Sequence, residues 1–171
     1  MVRSVVRLIT GAPGAGKSTL LGRLRERPVT VVDFDELPDE DGRLLGIDIT
    51  SPDASGVWPD YNRLWVRIAG MLARGGGPVL VSCPLTPAEW EAAAADVPDA
   101  PEVVWARLDC ADHDRRVRLA ARGWSAEQVE EALQDADELR ELVPTAFTSS
   151  GRAPVEVAED VLRWITDSPD A

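Results

Sequence analysis

Residues 11–19 read Gly11-Ala12-Pro13-Gly14-Ala15-Gly16-Lys17-Ser18-Thr19 and match the pattern G-x-x-x-x-G-K-S/T. The order has a physical reason. Glycines let the backbone curl until successive amide N–H groups point inward at phosphate oxygens. A helix opening at Lys17 would add the positive end of its dipole. Lys17 can then reach the β- and γ-phosphates as a compact charge, and the Ser18 hydroxyl can ligate Mg²⁺. The alternative is a glycine turn that only joins a strand to a helix. Against it stands the distribution of basic residues: 17 are arginine and one is lysine, and that one lysine is Lys17.

Outward from this turn, short apolar runs alternate with longer amphipathic stretches. Strands are predicted over residues 4–9, 29–33, 78–82, 103–108 and, weakly, 145–148. Helices are predicted over 17–26, 60–74, 112–122 and 154–166. Thr86-Pro87-Ala88-Glu89 and Ser125 with Gln128 read as capping boxes opening two further helices, the second closed by Pro144. Residues 39–59 have no clean period and read as a loop or small flexible insert. This alternation implies an α/β fold with a parallel sheet covered on both faces. No linker divides residues 1–171, so a single domain is expected, with roughly 70% of the unfolded chain's surface buried.

Eighteen basic residues against 30 acidic ones give a net charge of −12. That charge argues against nucleic acid and anionic membrane as partners. No apolar run approaches a membrane span and no signal-peptide pattern is seen. Two cysteines, Cys83 and Cys110, and one histidine, His113, leave little for a disulfide framework, a metal cluster or a histidine triad. A reduced, cytosolic compartment is expected. No feature selects an oligomeric state.

With its turn GAPGAGKST, the chain resembles the P-loop NTPases, and more narrowly the small P-loop kinases of the shikimate, adenylate, gluconate and dephospho-coenzyme A kinase type. That resemblance implies a three-layer α/β/α sandwich with a five-stranded parallel sheet in the order 2-3-1-4-5 and a short lid. It also implies ATP and Mg²⁺ as cofactors and phosphoryl transfer to a small-molecule hydroxyl. A nucleoside, nucleotide or dephospho-coenzyme A kinase is the alternative within enzymes. A nucleotide-binding regulator without an acceptor is the alternative outside them. A Ras-like GTPase is disfavoured, because its N-K-x-D motif needs a lysine beyond the turn.

Asp33 and Asp35 end the second predicted strand, where alternation would send both to one face and Phe34 to the other. By the resemblance, Asp35 would orient or deprotonate the acceptor hydroxyl and Asp33 would hold Mg²⁺ through water. An acidic strand end or helix cap is the plainer reading. Arg115, Arg118 and Arg122 fall within about 60° of one another on a helix, opposite Val117, Ala120, Ala121 and Trp124. Guanidinium groups there could clamp a transferring phosphoryl group, and similar kinases carry such arginines on a lid, here about residues 110–125. A solvated charged face is the alternative.

Acceptor binding is expected from about residues 35–65, with Asp35, Trp58 and Arg63 as candidates. Arg63 and Arg67, one helical turn apart, could hold an acceptor carboxylate or phosphate. By the resemblance, the loop at residues 149–154 would contact adenine, with Arg152 on the base.

Overall fold

In the computed structural model, which describes residues 5–49 and 51–167, five parallel strands form one sheet. They are β1 (Val5–Thr10), β2 (Thr30–Asp33), β3 (Val79–Ser82), β4 (Glu102–Asp109) and β5 (Ala146–Thr148). Their spatial order is 2-3-1-4-5, the order expected for a P-loop kinase. β1 is central, with Val6 opposite Val79 of β3 on one side and Val103 of β4 on the other. Ser4, the expected first residue of β1, lies outside the described residues.

Six helices cover the sheet: α1 (Lys17–Leu24), α2 (Trp58–Arg74), α3 (Pro87–Ala94), α4 (Asp112–Ala121), α5 (Ala126–Leu142) and α6 (Pro154–Thr166). Alternation along β1 and β3 divides the core in two. Val6, Leu8, Val79 and Val81 pack under α2 and α3 with Val66, Ala69 and Trp90. Ile9 and Leu80 face the other side, under α1 and α6, with Leu20, Leu24 and Val161. Because both faces are covered, these strands read as nearly continuous apolar runs. A third cluster, Leu119 with Val129, Ala132 and Leu133, joins α4 to α5. Arg7 interrupts β1, and its guanidinium offsets part of its desolvation by donating to the Trp164 and Asp167 carbonyls at the end of α6. Those carbonyls have no partner within the helix.

Both capping boxes form, Thr86 with Glu89 and Ser125 with Gln128. Three expectations need correction. Residues 39–59 are not a featureless insert. They hold a hairpin, Arg43–Leu44 against Ile47–Asp48, and a 3-10 turn at Pro52–Gly56, and α2 starts at Trp58. Two-residue strands leave no hydrophobic period to read. Asp112 is not the cap of α4 but its first residue; Ala111 precedes it without a side-chain cap, and the Asp112 carboxylate pairs with Arg140 at 2.9 Å. The α4 helix also presents its faces in reverse: Arg115 and Leu119 are fully buried, while Val117 is 55% exposed.

Candidate active site

The strand ends β1, β2, β3 and β4 all open on one edge of the sheet, where a parallel α/β fold binds its ligands. The turn at 11–16 leaves β1 and enters α1 there. A Cβ on Gly11 would lie 2.6 Å from the Leu108 carbonyl oxygen, so only glycine fits against β4. Gly16 takes φ 100° to redirect the chain into the helix, a conformation costly for any residue with a Cβ. α1 has neither a side-chain cap nor an acid in its first turn, so its first N–H groups stay available to an anion.

Lys17 donates to the Gly11 carbonyl within the turn. Burial lowers its pKa from the ordinary lysine value, while Asp35 and Asp33 pull it back up. Arg115 and Arg122 oppose its charge from the other side. The two acidic residues and the two arginines therefore stand close enough to the lysine to set its electrostatics. Asp33 and Asp35 arrive there by a different route from the expected alternation. β2 stops at Asp33, and Phe34–Glu36 turns into a 3-10 helix whose N-cap is Asp33, accepting from the Asp35 amide at 3.2 Å. The turn buries Phe34 against Trp65, ring centroids 4.1 Å apart, and leaves Asp35 exposed to the cleft.

Two cavities meet at Asp35. One, of about 350 Å³, lies over the turn and is bordered by Gly11, Pro13, Lys17, Asp35 and Cys83, with Asp135 and Glu138 of α5 on its far wall. The second, of about 440 Å³, is walled by Phe34, Trp58, Tyr61 and Trp65 and shares Asp35 and Pro84 with the first. A recess of about 240 Å³ lies on the opposite side of the turn, between Gly14, Gly16 and Thr19 and the side chains of Arg118, Arg122 and Arg152.

The three arginines of α4 separate by partner. Arg115 is fully buried and does not face the cleft; it donates to the Pro13 carbonyl and to Asp109 (2.8 Å), bracing the turn from behind. Its burial is possible because Asp109, at the end of β4, supplies the counter-charge. Arg118 reaches the Gly14 carbonyl at 3.0 Å and the Ser149 hydroxyl at 2.8 Å, and that hydroxyl donates to the Ala15 carbonyl at 2.7 Å. Arg122 is exposed, and its guanidinium has no hydrogen-bond or ion-pair partner among the described residues. The region expected as a lid is thus a helix packed onto the turn, with one free guanidinium at its end.

Of the acceptor candidates, Trp58 lines the aromatic cavity, accompanied by Tyr61 and Trp65. Arg63 does not; it pairs with Asp60 one turn back on α2. Arg67 borders a separate groove with Met71 and Arg74. Arg152 lines the recess and pairs with Asp160. Sequence reasoning missed Asp109, Asp135 and Glu138, and took the 149–154 loop as an adenine contact without the side-chain role of Ser149. Ser149 and Asp109 meet partners on other elements, Ser149 with Arg118 and Asp109 with Arg115 and Arg140, while Asp135 and Glu138 sit in a helix whose apolar period drew attention to its other face.

Cys83 borders the cleft, but burial pushes its thiol up to about 12. Burial likewise raises Cys110, which donates to the Gly14 carbonyl at 3.6 Å. Below that range Cys83 is a protonated thiol and not a nucleophile. Native protein at neutral pH should therefore resist iodoacetamide under conditions that alkylate the unfolded chain completely; mass spectrometry showing rapid native alkylation would contradict this. Among the described residues no group of three or more His, Cys, Asp or Glu is arranged to hold a metal by itself, and no helix is long and apolar enough to cross a membrane.

Solved structures of similar shape include kinases and a resistance protein. A sugar kinase from Janibacter sp. is 19% identical, with a TM-score of 0.63 and coverage of 97% of this chain and 96% of that one. The tunicamycin resistance protein of Deinococcus radiodurans is 18% identical, with a TM-score of 0.68 and coverage of 97% of each. Shikimate kinase from Acinetobacter baumannii, in complex with shikimate, is 15% identical, with a TM-score of 0.59 and coverage of 96% and 93%. At these identities the likeness is one of fold. No curated protein matches the sequence. Residues 8–139 match the family described as AAA domain. Together with the turn and the 2-3-1-4-5 sheet, that match over most of the chain shows that it belongs to the AAA domain family, as a P-loop protein of small-kinase fold.

Proposed function

We propose that this chain is an ATP- and Mg²⁺-dependent phosphotransferase that moves the γ-phosphate to a hydroxyl of a small-molecule acceptor. The position of Asp35 carries this reading: one carboxylate borders both the phosphate-turn cleft with Lys17 and the aromatic cavity with Trp58. A nucleotide-binding protein without an acceptor has no need of a second cavity opening at that carboxylate.

In this reading the amides of residues 11–19 and Lys17 hold the β- and γ-phosphates, and the recess beside Arg152 takes the base. Arg122, whose guanidinium has no partner among the described residues, is the arginine that faces developing phosphoryl charge. Arg118 and Arg115 are positioning residues, one tied to Gly14 and Ser149 and the other to Pro13 and Asp109. Asp35 accepts the hydroxyl proton as the acceptor oxygen bonds to phosphorus and the bond to ADP breaks. The donor set suits Mg²⁺: Ser18 is exposed beside the turn, and Asp33 accepts one amide and keeps oxygen lone pairs free. This hard cation takes most of its oxygen shell from phosphate and water, which fits a site with few protein ligands. When bound, it supplies charge neutralisation across the β- and γ-oxygens. The similar structures named as sugar and shikimate kinases support a hydroxyl-bearing acceptor, and two free, buried cysteines accord with a cytosolic setting.

A panel of sugars, polyols, hydroxy acids and aryl-alkyl alcohols, read by transfer of a labelled γ-phosphate, tests the proposal. At least one should be phosphorylated, and Lys17→Ala should abolish that transfer. ATP binding with no acceptor phosphorylated across the panel would refute the acceptor, and full transfer by Lys17→Ala would refute the whole scheme.

A further inference from the structure

The cavity beside Asp35 carries charge of one sign only. Among the described residues, its charged lining residues are Asp35 and Glu89, and no arginine, lysine or histidine lines it. The adjoining cleft adds Asp135 and Glu138, with Lys17 as the sole cation among the described residues that border it. The arginines that α2 could have offered are elsewhere: Arg63 is paired with Asp60, and Arg67 borders a different groove. A carboxylate or phosphate on the acceptor would therefore be desolvated against carboxylates without a counter-ion.

The rest of the lining is built for apolar contact. Phe34 and Trp65 lie 4.1 Å apart at 34°, and Trp58 and Tyr61 lie 5.8 Å apart at 49°. The Tyr61 hydroxyl donates to the Leu44 carbonyl at 3.3 Å, tying the hairpin to α2 and closing the far wall. Such a preformed aromatic cavity with few polar groups selects ligands by apolar body and shape.

Resting on the phosphotransferase reading, we infer that the acceptor is an alcohol with an aryl or alkyl body and no anionic group, uncharged or carrying an amine. Its body fills the space between Trp58 and Trp65, and its hydroxyl reaches Asp35 at the mouth shared with the phosphate-turn cleft. A protonated amine on the side facing α5 meets Asp135 and Glu138. The cavity excludes hydroxy acids by charge and small polyols by lack of apolar surface.

A size-matched probe set tests this on the full chain: 3-phenylpropane-1,2-diol, phenylalaninol and 3-phenyllactate, with shikimate as a hydrophilic acid. Binding is read by tryptophan fluorescence, since Trp58 and Trp65 face the cavity, and transfer is read separately with labelled ATP. The diol and the amino alcohol should bind saturably, at least about tenfold tighter than phenyllactate, with shikimate weaker still. Trp58→Ala should weaken the diol, with nucleotide affinity reporting that the fold is intact. As a variant that adds rather than removes, Asn62→Arg places a cation in the lining and should reverse the preference towards phenyllactate. Equal or tighter binding of the acids by the unaltered chain, or no saturable binding of the diol and the amine, would overturn the inference. Phosphorylation of the acids alone would uphold the kinase and overturn this acceptor class. Tight binding of the diol and amine without any transfer would uphold the cavity's selectivity and count against the kinase.

Discussion

Asparagine in place of Asp35 lowers phosphoryl transfer by about 10²–10⁴-fold, the usual contribution of a positioned general base. Nucleotide affinity should change little, because the phosphates are held by the turn amides and Lys17, none of which hydrogen-bonds Asp35. Asn keeps the size of the side chain, so the 3-10 turn and the Phe34–Trp65 stack stay in place. The loss should therefore fall on kcat, with titration of a fluorescent nucleotide as the control. Unchanged turnover would remove Asp35 as the base. A large loss of nucleotide affinity would instead mean that its main task is to balance the charge of Lys17, which its effect on that lysine makes a real competitor.

Asp109→Asn is expected to cost about 3–5 kcal/mol of stability, the scale set by removing one partner of a buried ion pair. For a chain of this size that is a fall in Tm of roughly 6–20 °C. The reason is Arg115, fully buried with Asp109 as its counter-ion at 2.8 Å. Arg140 shares the same carboxylate at 2.8 Å. Burial pushes Asp109 up, but the hydrogen bonds from Arg140 and the Cys110 amide outweigh it and hold the carboxyl below its ordinary range. Its contribution is thus present above the unfolded carboxylate pKa and is lost as pH falls through the lower folded value. Thermal unfolding should show the variant destabilised at neutral pH and the gap to the parent narrowing in acid. Adding Arg115→Met should recover part of the loss, because the orphaned charge goes with it. An unchanged Tm for the single variant would show that the cluster is solvated rather than buried. Nucleotide affinity should weaken too, since Arg115 holds the Pro13 carbonyl of the turn.

The legible part of the site was the part written in adjacent residues. The turn, its lysine and its serine follow from a spacing whose backbone demands are local. The Trp58 assignment rested on an aromatic beside proline in an unpatterned stretch, and Trp58 lines a cavity at the start of α2. The arginine assignments fared unevenly, for one reason. A helical wheel shows that Arg115, Arg118 and Arg122 share a face but not which way it points. Three arginines opposite valine and alanine look solvent-facing until a carboxylate six residues upstream of Arg115 is found to hold that one in the interior. The same limit applies to Arg63, whose neighbour Asp60 takes it before any acceptor could.

By itself, then, the sequence determined the phosphate turn, the α/β alternation and the near-absence of lysine that makes Lys17 stand out. Each is a matter of residue type at short separation, and short-range sterics and hydrogen bonding enforce it. Only the tertiary structure decided which α4 arginine is left free, that Asp35 stands between two cavities, and that the second cavity is lined, among the described residues, by aromatic rings and carboxylates but no cation. Those are properties of side chains brought together from distant elements, and their partners depend on packing across the sheet edge, which no local pattern specifies.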